Sequence, residues 1–323
     1  GFKESGFGRE GGSEGIRAYT KNILPKKTQT KKNNKKVSIN LPNIDRTPKL
    51  YIGGKQKRPD GGYSYGLNAV DGSFVCDIAR ANRKDVRDCV EIASKSLLKQ
   101  PNNFNRSQIL YYLAENLQTR HGTFIDLLIL LSGISPSEAK KQFEQSCQRL
   151  FFYASMADKF EGTIHNPPIR GLTLAVKEPL GLITNILNDD LPLLSLITIL
   201  GSVFSTGNAN IIVPGQQTSL IATEIYQVLE TSDIPNGYIN ILTAKENELN
   251  ATLSLHENVD GIWFFGKKIS EKSAIIKNTT SNLKRFWCPE EPEIDWHSNE
   301  KIFLEEFLHQ STQIKNIWIP YGE

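Results

Sequence analysis

Three short polar stretches are where chemistry would have to sit: Asn188-Asp189-Asp190, Pro214-Gly215-Gln216-Gln217 and Gly266-Lys267-Lys268. Each ends a continuous apolar run and opens a helical pattern. Adjacent carboxylates in such a place suit a helix N-terminus, through capping and the macrodipole. Lysines there can join exposed N–H groups in holding a phosphate, or stay solvated. Nucleophilic candidates are few. Cys76 and Cys89 lie on strand or helix patterns, as does Cys147, and these three read as small core residues, while Cys288 directly precedes a proline. The five histidines (His121, His165, His256, His297, His309) show no metal-ligand spacing, so no metal site is expected. The opening GFKESGFGRE has the glycines of a phosphate loop, but that motif needs a preceding strand and none is there.

The elements that must position these loops are legible in the hydrophobic rhythm. From residue 172 onward, LGLITNIL (180–187), NIIVP (210–214), YINILTA (238–244) and GIWFFG (261–266) alternate with helical stretches. Short apolar strands between helices predict a doubly wound, mostly parallel α/β sheet covered on both faces. In such sheets ligands bind beyond the carboxyl ends of the strands, which is where the three polar loops fall. Upstream, KLYIGGKQ and YSYGLNAV flank a Pro-Asp-Gly-Gly turn and read as a hairpin. Val86, Val90, Ala93 and Leu97 mark one helix face, and Ile109, Leu113 and Leu117 another. Ser135, Pro136 and Glu138 spell a capping box with proline at the first helical position. A short amphipathic helix (302–308) and the strand-like TQIKNIWIPYGE close the chain.

Composition narrows the class. With 39% hydrophobic and 23% charged residues over 323 positions, the chain can bury a sizeable core. A net charge of +3 gives no global basic field for nucleic acid. The only dense basic run, KKTQTKKNNKK (26–36), has six lysines and no apolar side chain, and reads as a solvated linker. The most apolar stretch, 191–204, is shorter than the roughly 20 residues a bilayer needs and reads as a core helix, so no membrane partner is expected. Widely spaced cysteines without CxxC, and no signal-peptide pattern, point to a reduced cytoplasmic setting. The first residue is Gly and the only methionine is Met156, so the sequence is expected to be a fragment, a processed form or an incomplete gene model.

Several of these stretches, in order, resemble the aldehyde dehydrogenase superfamily. KLYIGGK resembles its opening strand, YASMADKFEG (153–162) the end of its helical region, and KEPLGLI (177–183) the strand leading to its active site. GNANIIVPGQQTSL (207–220) is similar to GNTVVLKPAEQTPL, IPNGYINILT (234–243) to LPPGVVNVVTG, and VDGIWFFG (259–266) to VDKIAFTG. GFKESGFGREGGSEGIRAYTK is similar to GxKxSGxGRExGxxGLxxY, which lies near the end of the family's catalytic region, yet here it comes first. That order resembles the tandem family-16 aldehyde dehydrogenases: residues 1–25 as the tail of a preceding unit, 26–48 as linker, 49–283 as cofactor-binding domain, and 284–323 as a truncated remnant with a C-terminal oligomerisation strand.

The resemblance implies a Rossmann-like domain for NAD or NADP, with Ile186, Leu187, Pro214, Gly215, Gln216 and Gly266 as cofactor-binding positions. It also implies which parts of the chemistry are altered. The family oxidises an aldehyde by cysteine attack, hydride transfer and glutamate-assisted release of the acid. At its oxyanion asparagine this chain has Asp190, which offers no N–H donor when ionised; losing one such donor costs about 2.7–4 kcal/mol of transition-state stabilisation. Val213 and Gln216 stand at the ribose-binding Lys and Glu positions, while Lys267, Lys268 and Glu271 alter the phosphate turn. FWCPEEPE (286–293) replaces LELGGK, with Glu290 one place from the glutamate under a gapless alignment. Some thirty residues remain after it, with no Gly-Gln-x-Cys loop. The expectation is a fold whose catalytic domain is largely missing, with no catalytic residue of its own and a role in assembly or regulation. Its partners would be other aldehyde dehydrogenase-like subunits, as a homo-oligomer. The alternative is a fragment of an active NAD(P)-dependent enzyme whose cysteine lies outside this chain.

Overall fold

The structure is a computed structural model that describes residues 12–17, 19–20, 47–165, 170–289 and 294–321. The lysine run 26–36, most of the 1–25 segment and Glu290 lie outside the described residues. The strands are β1 (Leu50–Ile52), β2 (Lys55–Lys57), β3 (Ser64–Asn68), β4 (Phe74–Ala79), β5 (Thr163–His165), β6 (Gly171–Pro179), β7 (Leu182–Ile186), β8 (Ala209–Val213), β9 (Ile239–Ile241), β10 (Gly261–Phe264), β11 (Arg285–Trp287) and β12 (Thr312–Pro320). The helices are α1 (Gly12–Arg17), α2 (Arg83–Ser96), α3 (Asn103–Gln118), α4 (His121–Ser132), α5 (Pro136–Met156), α6 (Pro192–Ser205), α7 (Ser219–Glu230), α8 (Asn250–Leu255), α9 (Ile269–Thr279) and α10 (Lys301–Gln310).

The central sheet runs β11-β10-β7-β8-β9-β1-β2, and its first five strands are parallel. This is the doubly wound α/β sheet that the strand–helix rhythm predicts. Alternation along the strands divides the core. Ile183, Ile212, Ile241 and Trp263 face the layer that holds α3 to α7 and α10. Leu182, Ile211, Leu242 and Phe264 face the layer of α2 and α8, with Ile275 of α9. All fourteen residues of α6 are buried, which explains why its sequence is apolar around its whole circumference. The capping box of α5 forms as its sequence predicts: the Ser135 hydroxyl accepts from Glu138 N at 3.2 Å, and the Glu138 carboxylate accepts from Ser135 N at 2.9 Å.

One local expectation is corrected. KLYIGGKQ does not pair with YSYGLNAV. It folds on itself, β1 against β2, around Gly53 (φ 66°) and Gly54 (φ 77°), and β3 pairs with β4 instead. Two consecutive left-handed residues are what a two-residue hairpin loop demands, so the Gly-Gly pair prevails over the longer Pro-Asp-Gly-Gly segment. Beyond residue 283, β11 adds a further parallel strand beside β10, in register Trp263↔Trp287.

The segment after β11 builds a second core feature. Trp263, Phe265, Trp287, Trp296, Phe303 and Phe307 form one aromatic cluster, with ring centroids 4.9 Å apart for Trp263–Trp287, 5.2 Å for Trp287–Phe307 and 5.3 Å for both Phe265–Trp296 and Phe303–Phe307. Arg149 of α5, buried, anchors the segment by donating to Trp296 O at 2.8 Å and to Ser298 O, with its guanidinium carbon 5.3 Å from the Phe303 ring centre. α10 thus closes the sheet's α6 side. Beyond it, β12 pairs antiparallel with β6 over nine residues in the three-stranded sheet β12-β6-β5.

Candidate functional site

At the carboxyl edge of the parallel strands, four strand-to-helix loops enclose a cleft of about 410 Å³. All six residues expected there, Ile186, Leu187, Pro214, Gly215, Gln216 and Gly266, line it. So do Val213, Asp190, Lys267, Lys268 and Glu271. Sequence reasoning named three of the four loops and missed 244–249, between β9 and α8. The carboxyl-edge rule itself would have found it, since β9 is a parallel strand like its neighbours.

The β7–α6 loop is fixed from several sides. Asn188 donates through Nδ2 to Phe265 O at 2.8 Å, tying the loop to the end of β10, and Asp190 N donates to Asn188 Oδ1 at 2.9 Å. Asp189 turns the other way and accepts from Thr218 N at 2.9 Å and from the Thr218 hydroxyl at 2.7 Å. It therefore caps α7, not the helix that follows it in sequence. The start of α6 is served by Gln142 of α5, whose Oε1 accepts from Leu193 N at 3.1 Å. Burial pushes the Asp189 carboxyl above its ordinary range, against the hydrogen bonds from Thr218 that pull it down.

The other loops lock onto one another. A Cβ at Gly215 would lie 2.4 Å from Asp189 Oδ1 and 2.7 Å from the Asn188 carbonyl carbon, so glycine is required for loop to approach loop. Gln216 Oε1 accepts from Glu246 N at 2.9 Å. Lys267 Nζ lies 2.9 Å from Asp190 Oδ2, bridging the β10–α9 and β7–α6 loops. Lys268 Nζ lies 2.9 Å from Glu246 and 3.3 Å from Glu271. The two hydrogen-bonded carboxylates, Glu246 first, raise the Lys268 ammonium above its usual value.

No cysteine lines the cleft. Burial pushes the Cys147 thiol up to about 12, and raises Cys288 and Cys89 as well. At Cys288 burial outweighs Lys272, which pulls the thiol down, and a thiol held protonated is a poor nucleophile. Among the described residues no group of His, Cys, Asp and Glu could hold a metal ion, and no helix is long and apolar enough to cross a membrane. What the cleft contains is a network of carboxylates and amides in which Lys267 and Lys268 are both paired.

The chain matches the aldehyde dehydrogenase family over residues 63–288. It is 28% identical over 261 residues to the cytosolic 10-formyltetrahydrofolate dehydrogenase of Mus musculus, covering 78% of this chain and 28% of that protein. It is 25% identical over 261 residues to an aldehyde dehydrogenase of Agaricus bisporus, covering 79% of this chain and 51% of that one. In structure it is similar to betaine aldehyde dehydrogenase of Staphylococcus aureus in complex with NAD+, with a TM-score of 0.71, 20% identity, and coverage of 75% of this chain and 49% of the other. An aldehyde dehydrogenase from Bacillus cereus gives a TM-score of 0.73 at 19% identity, with coverage of 78% and 53%. The chain thus spans about half the length of these structures and of the fungal relative, and less of the folate enzyme.

Proposed function

The chain belongs to the aldehyde dehydrogenase family, and from that premise we propose that it is a non-catalytic unit whose work is assembly with other aldehyde dehydrogenase-like subunits. The observation that carries the proposal is β12. It stands at the edge of its sheet, and Trp318 is 62% exposed, Ile319 45% and Tyr321, just beyond it, 62%. Ile164 on β5 is exposed as well. A long edge strand with aromatic and β-branched side chains in water is a template for another chain unless something covers it. A second copy, through the same strand, is the simplest cover.

The residues of the cleft support the non-catalytic part. Toward the nicotinamide dinucleotide implied by the family fold the donor set does not fit: Val213 offers no cation, the Gln216 carbonyl oxygen is engaged by Glu246 N, and Lys267 and Lys268 are paired with carboxylates. Oxidation of an aldehyde with NAD or NADP is accordingly proposed for a longer protein of which this chain would be part, as in the tandem family-16 arrangement. The cytosolic relative and the four free cysteines of the described chain favour a cytoplasmic setting.

Sedimentation of the purified chain tests the assembly role. Wild type should sediment as a dimer or larger, and Trp318→Asp, at an exposed position that leaves the core intact, should shift it to monomer. A monomeric wild type, or a variant of unchanged mass, overturns the proposal.

A further inference from the structure

The cleft holds its own counter-ions. Three lysines (245, 267 and 268) and four carboxylates (Asp189, Asp190, Glu246 and Glu271) line it, which leaves a formal charge of −1 when all are ionised. The pairs are made between loops: Lys267 of the β10–α9 loop on Asp190 of the β7–α6 loop, and Lys268 on Glu246 of the β9–α8 loop. Glu271 adds a third carboxylate in the first turn of α9, where backbone N–H groups and the helix dipole would otherwise favour an anion. At the opposite wall Val213 is apolar, and Gly215 is filled against Asp189 and not against open space.

We propose that this cleft is closed to phosphate-bearing ligands by carboxylates of its own chain, which occupy two of its three lysines, Lys267 and Lys268. A diphosphate entering here meets a net negative lining in which two of the three lysines are already paired, so to use Lys267 or Lys268 it must displace an internal carboxylate, and only Lys245 on the exposed β9–α8 loop is outside these pairs. Each pair is partly exposed: the Lys267 side chain is 50% accessible and that of Asp190 23%. Partly exposed pairs are individually modest, so each released lysine should strengthen phosphate binding by about fivefold. The closure is thus a sum of small effects, and removing the carboxylates one at a time should open it in steps. The proposal rests on the non-catalytic reading only at the cleft: assembly through β12 can fail while the cleft stays closed, and the reverse.

Calorimetric titration with ADP and with inorganic pyrophosphate, and fluorescence titration with NADH, test it on the whole chain. Wild type should bind each of them no more tightly than in the millimolar range. Asp190→Asn should bind ADP and pyrophosphate about fivefold more tightly than wild type, and the Asp190→Asn, Glu246→Gln, Glu271→Gln triple variant, which frees Lys268 from both of its carboxylates, about 25-fold. Adding Lys267→Ala to Asp190→Asn should abolish the gain of the single variant. Should the triple variant fail to fold by circular dichroism, Asp190→Asn and its reversal by Lys267→Ala carry the test. Micromolar binding of NADH or ADP by wild type, or a folded variant that binds no better, overturns the proposal.

Discussion

Replacing Phe307 by alanine tests whether α10 belongs to the cooperative core. The ring is fully buried, with centroid distances of 5.2 Å to Trp287, 5.3 Å to Phe303, 5.7 Å to Trp296 and 6.1 Å to Trp263. Truncating a buried phenylalanine typically costs about 3–5 kcal/mol, from lost transfer energy and the cavity left behind. Four aromatic neighbours in tilted or edge-on geometry place the cost at the upper part of that range. For a chain of this size each kcal/mol lowers the melting temperature by about 2–4 °C, so the expected drop is about 8–20 °C. Phe307→Leu keeps most of the volume and should cost under about 1.5 kcal/mol. Urea unfolding followed by tryptophan fluorescence reads the effect directly, because Trp263, Trp287 and Trp296 are in the cluster and only Trp318 lies outside it. The midpoint should fall with an unchanged slope. A loss below about 1 kcal/mol would refute the reasoning, since α10 would then be an appendage and not a wall of the core.

Asp189 supplies the remaining predictions. Asp189→Ala removes the cap of α7 and leaves Thr218 N without its acceptor, which should lower stability by about 1–2 kcal/mol in urea unfolding. Asp189→Asn keeps an acceptor oxygen and should be close to neutral at pH 7. The folded carboxyl is raised above its unfolded value, so between the two the native state binds the extra proton and stability increases as pH falls through that window. Wild type should therefore gain stability relative to Asp189→Asn on moving from pH 7 toward pH 4, read as the difference between their urea midpoints; a constant difference would count against the buried carboxyl.

Much of this architecture is written locally. Strands β7 to β10 announce themselves as short apolar runs between helices, and the Ser135–Glu138 box is readable because its partners are three residues apart. The same rhythm places three of the four loops, while the six cleft positions are named by the family resemblance. What sequence reasoning missed is non-local. Asp189 caps a helix whose first turn lies 29 residues onward, and no local signal distinguishes that from capping its own helix. The aromatic cluster joins Trp263 to Phe307 across the chain, and each residue alone reads as ordinary core. β11 escaped notice because three residues, Arg285–Trp287, carry too short a pattern to separate from the proline-interrupted segment that follows. In the hairpin region two turn signals compete, and the choice rests on which one brings strands into register with the sheet.

The central claim is that the chain carries no aldehyde-oxidising chemistry of its own. Formation of NADH or NADPH by the purified chain, followed at 340 nm with aliphatic, aromatic and quaternary-ammonium aldehydes, tests that claim most directly. The account predicts no turnover above buffer with either cofactor. Turnover that is present in the wild-type chain and disappears in Cys288→Ser would contradict it.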